Sequence, residues 1–408
     1  MTQSHVLRVM SQRGQAKPKA GQVRVVAAGK PRGAAGPRPK WKADLKPADV
    51  PALIKYPARQ SSSQRPHYAS TYQLSTLLTI PLVVSLLIFW PATHGSAERV
   101  EAVEFIPQSY FFIGLFILIL PFHRIARSGR YRFFMTLKRI SLGGLAEAQD
   151  GKFGDILLAD ALTSYSRVLA DLVVTFCMFF TTDVSSTSKP TRKCRTNDYV
   201  VPLIIAFPSI IRLRQCLIEY LRVRRAVQRN QGAGSHGGQH LANALKYATA
   251  FPVIILAAKL KNYNPLDFYG YSEMSLSRLL FFFTFINSAY SFYWDITKDW
   301  DLTLFTSARR SHEHPYGLRR HRYFPNRQYY LAIIIDLAIR FSWLSRYVPG
   351  FVWMSETEFG IFILMFSEVA RRWMWVFLRV EAEWIRNSRG PAPDDILLGE
   401  FGGKLDAD

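Results

Sequence analysis

The feature that most constrains this 408-residue chain is the gathering of its apolar residues into blocks. Leu74–Trp90 and Tyr110–Phe122 are almost purely apolar, and charged residues collect between such blocks. A soluble chain of this length would form two or three domains with its apolar residues spread more evenly. A helix needs about 20 mostly apolar residues to cross a bilayer. Eight stretches meet or approach that length: 72–91, 107–122, 156–180, 199–217, 241–260, 276–296, 328–347 and 357–384. The second and fourth are short or interrupted by Pro202 and Pro208, and the third and eighth are longer and carry charges. The expected fold class is all-α, a polytopic transmembrane helical bundle of about eight spans whose first partner is the lipid bilayer.

Charge sets the orientation and the outer segments. Lys and Arg number 52 against 30 Asp and Glu, a formal excess of +22. Residues 1–66 are basic, acid-poor and rich in Pro, Gly, Ala and Gln, which predicts a disordered basic cytosolic tail. Mitochondrial transit peptides share that composition. A nucleic-acid arm would need a folded nucleic-acid module behind it, and none follows, so no nucleic acid is expected as a partner. The first long apolar stretch begins near Tyr72, which argues against a signal peptide. Loops 123–155, 218–240 and 297–327 are rich in Lys and Arg, whereas 92–106, 261–275 and 348–356 are poor in them and 181–198 is mixed. Cytoplasmic loops carry the basic excess, so the alternation places both termini in the cytosol. Within 131–150, Phe, Leu and Ile mix with Arg132, Lys138 and Arg139, the pattern of an amphipathic helix on the cytosolic surface. The chain then divides into a tail (1–66), two transmembrane helices with an amphipathic segment (67–152), a transmembrane core (153–388) and a cytosolic C-terminal tail (389–408).

Several chemistries find no support. Three cysteines and no Cys-x-x-Cys exclude a disulfide-rich scaffold and the common zinc and dithiol motifs. Cys177 and Cys216 fall within spans, where cysteine packs as a small hydrophobe. His312 and His314 do not by themselves close a metal site. The glycines of 232–238 lack the Lys-Ser/Thr of a phosphate loop and read as a linker. Neither Gly-x-Ser-x-Gly nor His-Glu-x-x-His occurs. No catalytic residue, metal or cofactor is expected, and the chain does not read as an enzyme.

Ionisable groups inside spans are costly and point to function. The third span holds Asp160, Thr163, Ser166, Arg167 and Asp171, and steps of three and four put Asp160, Thr163 and Arg167 on one helix face. Lys246 and Tyr247 lie in the fifth. Trp294, Asp295, Asp299 and Trp300 close the sixth. Asp336, Arg340 and Trp343 lie in the seventh, and Glu368, Arg371, Arg372, Trp375, Arg379, Glu381 and Glu383 in the eighth. For Asp171, Asp336, Arg379, Glu381 and Glu383, internal ion pairing or a place at a span end explains the charge as well as function does. Lys246, Arg340, Arg371 and Arg372 come from three spans to similar depth, with too few acids expected beside them. Such a cluster suits an anion, because Arg offers a planar fork to phosphate or carboxylate and Lys adds a point charge. Asp160 and Glu368 would keep the hold weak enough for release.

Four stretches carry a resemblance: Leu158-Ala-Asp-Ala-Leu-Thr-Ser-Tyr-Ser166, Leu241-Ala-Asn-Ala-Leu-Lys-Tyr247, Tyr293-Trp-Asp-Ile-Thr-Lys-Asp-Trp300, and Glu368-Val-Ala-Arg-Arg-Trp-Met-Trp375 continuing to Phe377, Arg379 and Glu381. In order and spacing they resemble the EXS domain. That domain is shared by the retrovirus-receptor phosphate exporters of animals, the plant phosphate-loading exporters and a short yeast Golgi protein whose loss impairs retention of resident proteins. The resemblance covers roughly 105–388 and implies efflux of inorganic phosphate held mid-membrane. By motif position it assigns phosphate contact to Asp160, Thr163, Ser166, Arg212, Lys246, Tyr247, Arg340, Trp343, Glu368, Arg371 and Arg372, and a structural role to Trp294, Asp295, Asp299 and Trp300. Thr163 stands where the animal exporters have Asn, and Val376 and Ala382 replace polar positions of the last motif. Residues 1–66 are too short for the family's cytosolic SPX domain, so the chain looks like the short Golgi branch. The implied role is export of phosphate from Golgi lumen to cytosol, recycling the by-product of glycosylation and thereby supporting retention of glycosyltransferases. The competing expectation is a membrane scaffold whose basic loops retain glycosyltransferase tails, or bind coat adaptors, without transporting. A second copy of the chain, as a homodimer, stays open as a further partner.

Overall fold

The computed structural model describes residues 67–94, 96–120, 127–146, 151–180, 199–230, 237–264, 272–310 and 314–388. The two expected tails (1–66 and 389–408), the loop 181–198, most of the 232–238 linker and His312 lie outside these residues. Among the described residues every regular element is helical. In chain order they are α1 (His67–Thr93), α2 (Ala97–Ala102), α3 (Phe105–Ile119), α4 (Arg127–Ser141), α5 (Lys152–Ser164), α6 (Ser166–Phe179), α7 (Val200–Asn230), α8 (Gly238–Ala248), α9 (Ala250–Lys261), α10 (Glu273–Trp294), α11 (Asn326–Arg340), α12 (Trp353–Glu356) and α13 (Glu358–Ser388). A π-helical turn, Asp295–Asp299, follows α10 directly, and a 3-10 segment, Ser342–Tyr347, follows α11.

Helices stand at all eight positions where spans are expected. Length and apolarity alone qualify Tyr72–Thr93, Val200–Gln228 and Gly238–Lys261, with a fourth span if α5 and α6 count as one. At 15 residues α3 is apolar but short, and α10, α11 and α13 interleave polar and charged groups with their apolar residues. Pro208 does not interrupt the fourth position: α7 runs through it for 31 residues.

Two expectations need correction. The stretch 156–180 is not one helix, because the chain breaks at Tyr165 and α5 meets α6 at 65°. The bend removes the expected shared face: Arg167 lies beyond it on α6 and is exposed, while Asp160 and Thr163 remain on α5. The amphipathic helix expected over 131–150 is α4, which ends at Ser141. Gly143 takes φ +93° just past that end, the left-handed conformation that terminates helices. Both ends of α4 are tied to its neighbours. Arg130 donates to the carbonyl oxygens of Ile117, Leu118 and Leu120 at 2.6, 3.1 and 2.5 Å, satisfying the open C-terminus of α3. Arg139 forks onto buried Asp155 of α5.

The largest buried cluster gathers Ile296, Trp300, Leu302, Leu318, Tyr329, Ile333, Trp375 and Leu378, joining the π-turn segment, α11 and α13. Beside it, Glu381 accepts from Arg319 Nη2 at 3.0 Å, the Tyr323 amide at 2.7 Å and the Tyr329 hydroxyl at 2.5 Å. Thus the segment before α11 is held to α13. Cys177 is disulfide-bonded and exposed near the end of α6, not packed as a free thiol; Cys216 is free and buried.

Candidate functional site

The intramembrane charges converge where the helices break. Asp160, Thr163 and Ser164 occupy the last turns of α5, just before the bend at Tyr165. Lys246 and Tyr247 sit in the last turn of α8, before the break at Thr249. Arg340 is the last residue of α11, and Asp295 opens the π turn. Glu368, Arg371 and Arg372 come from the first half of α13, which runs unbroken past the others, and Arg212 comes from α7. Helix C-termini expose carbonyl oxygens and carry negative partial charge, which favours cations there. Lys246 and Arg340 are placed accordingly.

Most of these cations are already neutralised. Asp295 is the hub: Lys246 Nζ lies 3.3 Å from its Oδ1, Arg371 Nη1 lies 3.4 Å from its Oδ2, and Arg340 donates to Oδ2 through Nε at 3.1 Å and through Nη2. Asp336 takes Arg371 Nη1 at 2.8 Å and Arg340 Nε at 3.3 Å. Glu368 takes the Arg371 fork at 2.9 and 2.6 Å. Asp299 lies 3.4 Å from Lys246. On the other side Arg212 Nε donates to Asp160 at 2.7 Å, Tyr247 donates its hydroxyl to the same oxygen, and Arg212 Nη1 reaches Gln215 at 2.6 Å. Five carboxylates therefore interleave with the cations. The expectation that too few acids lie beside Lys246, Arg340 and Arg371 is overturned, because Asp295, Asp299 and Asp336 turn inward with them.

Arg372 is the exception. It is 7% exposed, yet it has no carboxylate partner among the described residues. Its Nε donates to Ser164 Oγ at 2.9 Å and its Nη2 to Thr163 Oγ1 at 3.2 Å, and its guanidinium lies over the Trp375 ring, 4.4 Å from the centroid. Two of its five N–H donors are spent on neutral hydroxyls. Ser164 donates its hydroxyl to Glu368 at 2.7 Å, which links Arg372 to the Arg371 fork. With Arg372 counted, five cations stand against five carboxylates, and Arg372 is the one of the five that touches no carboxylate directly among the described residues.

The model of the EXS family matches residues 44–385, more than half of the chain. The chain belongs to the EXS family. Among its relatives, Protein ERD1 homolog 1 of Schizosaccharomyces pombe is 33% identical over 340 residues, covering 82% of this chain and 83% of the relative. Protein ERD1 of Kluyveromyces lactis is 33% identical over 261 residues, 59% of this chain and 61% of the relative. Xenotropic and polytropic retrovirus receptor 1 homolog of Xenopus laevis is 29% identical over 58% of this chain but only 33% of its own length. The family and the apolar helices together make this an integral membrane protein.

Against the site expected of an EXS chain, the structure brings together Asp160, Thr163, Arg212, Lys246, Tyr247, Arg340, Glu368, Arg371 and Arg372. It does not bring in Ser166, which begins α6 beyond the bend and makes no side-chain hydrogen bond among the described residues. Ser164, two residues earlier, takes that place. Trp343 also lies past a break, bonded to Ser288 at 3.1 Å and packed edge-on against Phe281 and Tyr347. Asp160 is bonded directly to Arg212 and Tyr247, and among the described residues it has no direct contact with the arginines of α13. Of the motif expected to be structural, Trp300 is a core residue, Trp294 lies beneath Lys246 at 5.9 Å, and Asp295 and Asp299 are members of the ion network. Sequence reasoning missed Ser164 and Gln215 and undervalued Asp336. Asp336 and Arg340 are four apart on one helix, a pairing signal that was available.

Proposed function

We propose that this EXS chain carries inorganic phosphate across its membrane, from Golgi lumen to cytosol, and that Arg372 is the principal phosphate contact. The observation that carries this reading is the buried guanidinium of Arg372, which faces hydroxyls and an indole ring with most of its donors unspent. A buried guanidinium that touches no carboxylate keeps its donors for another acceptor, and a tetrahedral oxyanion takes them with bidentate geometry. Five carboxylates offset the five cations, so the anion is held by one fork rather than by the field of the whole cluster. That makes binding reversible, which conduction requires. Thr163 and Ser164 hold the Arg372 fork in place, their own protons going to the Asp160 carbonyl and to Glu368. No bond is made or broken in the phosphate, so the proposal involves no enzymatic step.

The resemblance to phosphate exporters supports the substrate, and similarity to proteins named ERD1 supports the Golgi. Removing phosphate released by lumenal glycosylation would then sustain glycosyltransferase retention indirectly. The exposed, disulfide-bonded Cys177 near the end of α6 supports a lumenal position for that end, since disulfides persist in oxidising compartments. The test is phosphate flux from proteoliposomes holding the purified chain. Flux above that of empty vesicles, lost in Arg372→Gln, is expected; equal release from empty and loaded vesicles refutes the reading and leaves a retention scaffold in its place.

A further inference from the structure

Beyond Arg372, α13 continues as a polar face. Residues 372, 375, 379, 383 and 386 follow one another by steps of three and four, and Arg379 lies two turns, about 10 Å, from Arg372. Trp300 Nε1, Trp375 Nε1 and Arg379 Nε are buried without an acceptor, as are Nε and Nη1 of Arg319, which bonds Glu381 through Nη2. Trp300 and Trp375 are fully buried and share one packed cluster, and Trp300 directly follows Asp299, whose carbonyl oxygen lies 3.5 Å from Arg379 Nη1. A buried donor left without an acceptor is costly. The indole N–H groups of one cluster and the Arg379 Nε beside it are all donors, and an occupant that only accepts would satisfy them.

Arg379 is also loosely held. Its nearest carboxylate oxygens are 3.2 Å away on Glu383 and 3.9 Å away on Asp299, whereas Arg371 grips Glu368 at 2.6 and 2.9 Å. Asp299 is shared with Lys246, so movement of that carboxylate toward Lys246 frees the Arg379 fork. We infer that Arg379, Trp375 and Trp300 form an outer subsite for a phosphate-type oxyanion, distinct from the Arg372 position and coupled to it through Asp299. It rests on the reading of the inner cluster as a phosphate path. Two stations in line let an incoming anion displace the one ahead of it, which reconciles binding with release.

The test uses the purified full chain, with equilibrium binding of radiolabelled inorganic phosphate in detergent and flux in proteoliposomes. Wild type binds phosphate in two classes. Arg379→Gln removes the weaker class, keeps the tighter one and lowers flux at least fivefold, while Arg372→Gln keeps the outer class. Trp300→Phe retains the ring surface but not the N–H, and weakens the outer class at least threefold without lowering the melting temperature. If Arg379→Gln does not fold, Arg379→Lys, which keeps the charge and loses Nε, takes its place with the same expectation. A single binding class in wild type, or unchanged binding in both Trp300→Phe and Arg379→Lys, overturns the subsite and means that water satisfies these donors. Two classes without any flux support the subsite and overturn the transport reading; absence of both binding and flux overturns both.

Discussion

Arg371 and Arg372 are adjacent in sequence, and the structure gives them opposite vulnerabilities. Arg371 is enclosed by Glu368, Asp336 and Asp295. Arg371→Gln leaves Asp336, which is fully buried, with Arg340 at 3.3 Å as its remaining cation, and strips Glu368 of its fork. Breaking buried pairs of this kind costs about 3–5 kcal/mol. Arg372→Gln strands no carboxylate. Ser164 remains bonded to Glu368, and Thr163 still donates to the Asp160 carbonyl at 2.7 Å, so the loss is about 1 kcal/mol. For phosphate the order reverses. Two charge-assisted bonds from the Arg372 fork, at the low end of about 1.5 kcal/mol each, amount to about a hundredfold in affinity. Purified variants would be followed by thermal unfolding in detergent and by phosphate binding on the same samples. Arg372→Gln should melt near wild type and bind phosphate about a hundredfold more weakly, while Arg371→Gln should melt well below both. If Arg372→Gln binds phosphate normally, or melts as low as Arg371→Gln, Arg372 is a structural cation and the central assignment is wrong.

Asp160→Asn keeps the shape of the side chain but leaves buried Arg212 with only Gln215 and Tyr247; thermal unfolding should show a loss of about 3–5 kcal/mol, and an unchanged melting temperature would mean that the Asp160–Arg212 pair is not formed. A glycosylation acceptor inserted in 181–198 should be modified and one inserted in 309–322 should not, read by a gel shift sensitive to endoglycosidase; the reverse pattern inverts the orientation. Gly360 lets α12 close onto α13, since a Cβ there would lie 2.4 Å from Met354 Cα and 2.6 Å from the Trp353 carbonyl oxygen. Gly360→Ala should therefore cost about 1–3 kcal/mol and raise amide exchange across 350–362, and unaltered exchange would show that the two helices do not pack this closely.

How much of this was legible in the sequence differs from fold to site. The helices were legible because blocks of apolar residues leave few alternatives in a bilayer. The break at Tyr165 was not, since no Gly or Pro stands near it and the apolar pattern continues across it, whereas Pro252, whose missing N–H would have bonded Ala248, marks the one at Thr249. The site residues were found because charge inside a span is rare. Their pairing was misjudged because it depends on which faces meet. Asp295 and Asp299 read as the end of a span, whereas the structure turns both toward Lys246. Ser166 came from motif position, whereas Ser164, four residues after Asp160, is the serine that helical spacing puts on the Asp160 face.

The breaks and the charges require each other. In the hydrocarbon region backbone groups released from a helix must be satisfied by protein, so irregular backbone survives only where polar groups meet it. α5 and α11 end here, each leaving carbonyl oxygens without an intrahelical donor, and α8 gives way to α9 at Thr249, whose hydroxyl takes the Lys246 carbonyl at 2.7 Å. Lys246 and Arg340 stand at two of those ends, where the negative end of the helix dipole offsets part of their charge. The same cations hold Asp295, so the π turn that presents it is fixed from three directions, by Lys246, Arg340 and Arg371. Asp295 and Asp299, four apart, share one side of that turn and both face Lys246, at 3.3 and 3.4 Å. Arg372 stands outside this mutual dependence, on an unbroken helix and without a carboxylate. It is the cation whose partner can change while the fold stays intact, as a residue that binds and releases an anion must.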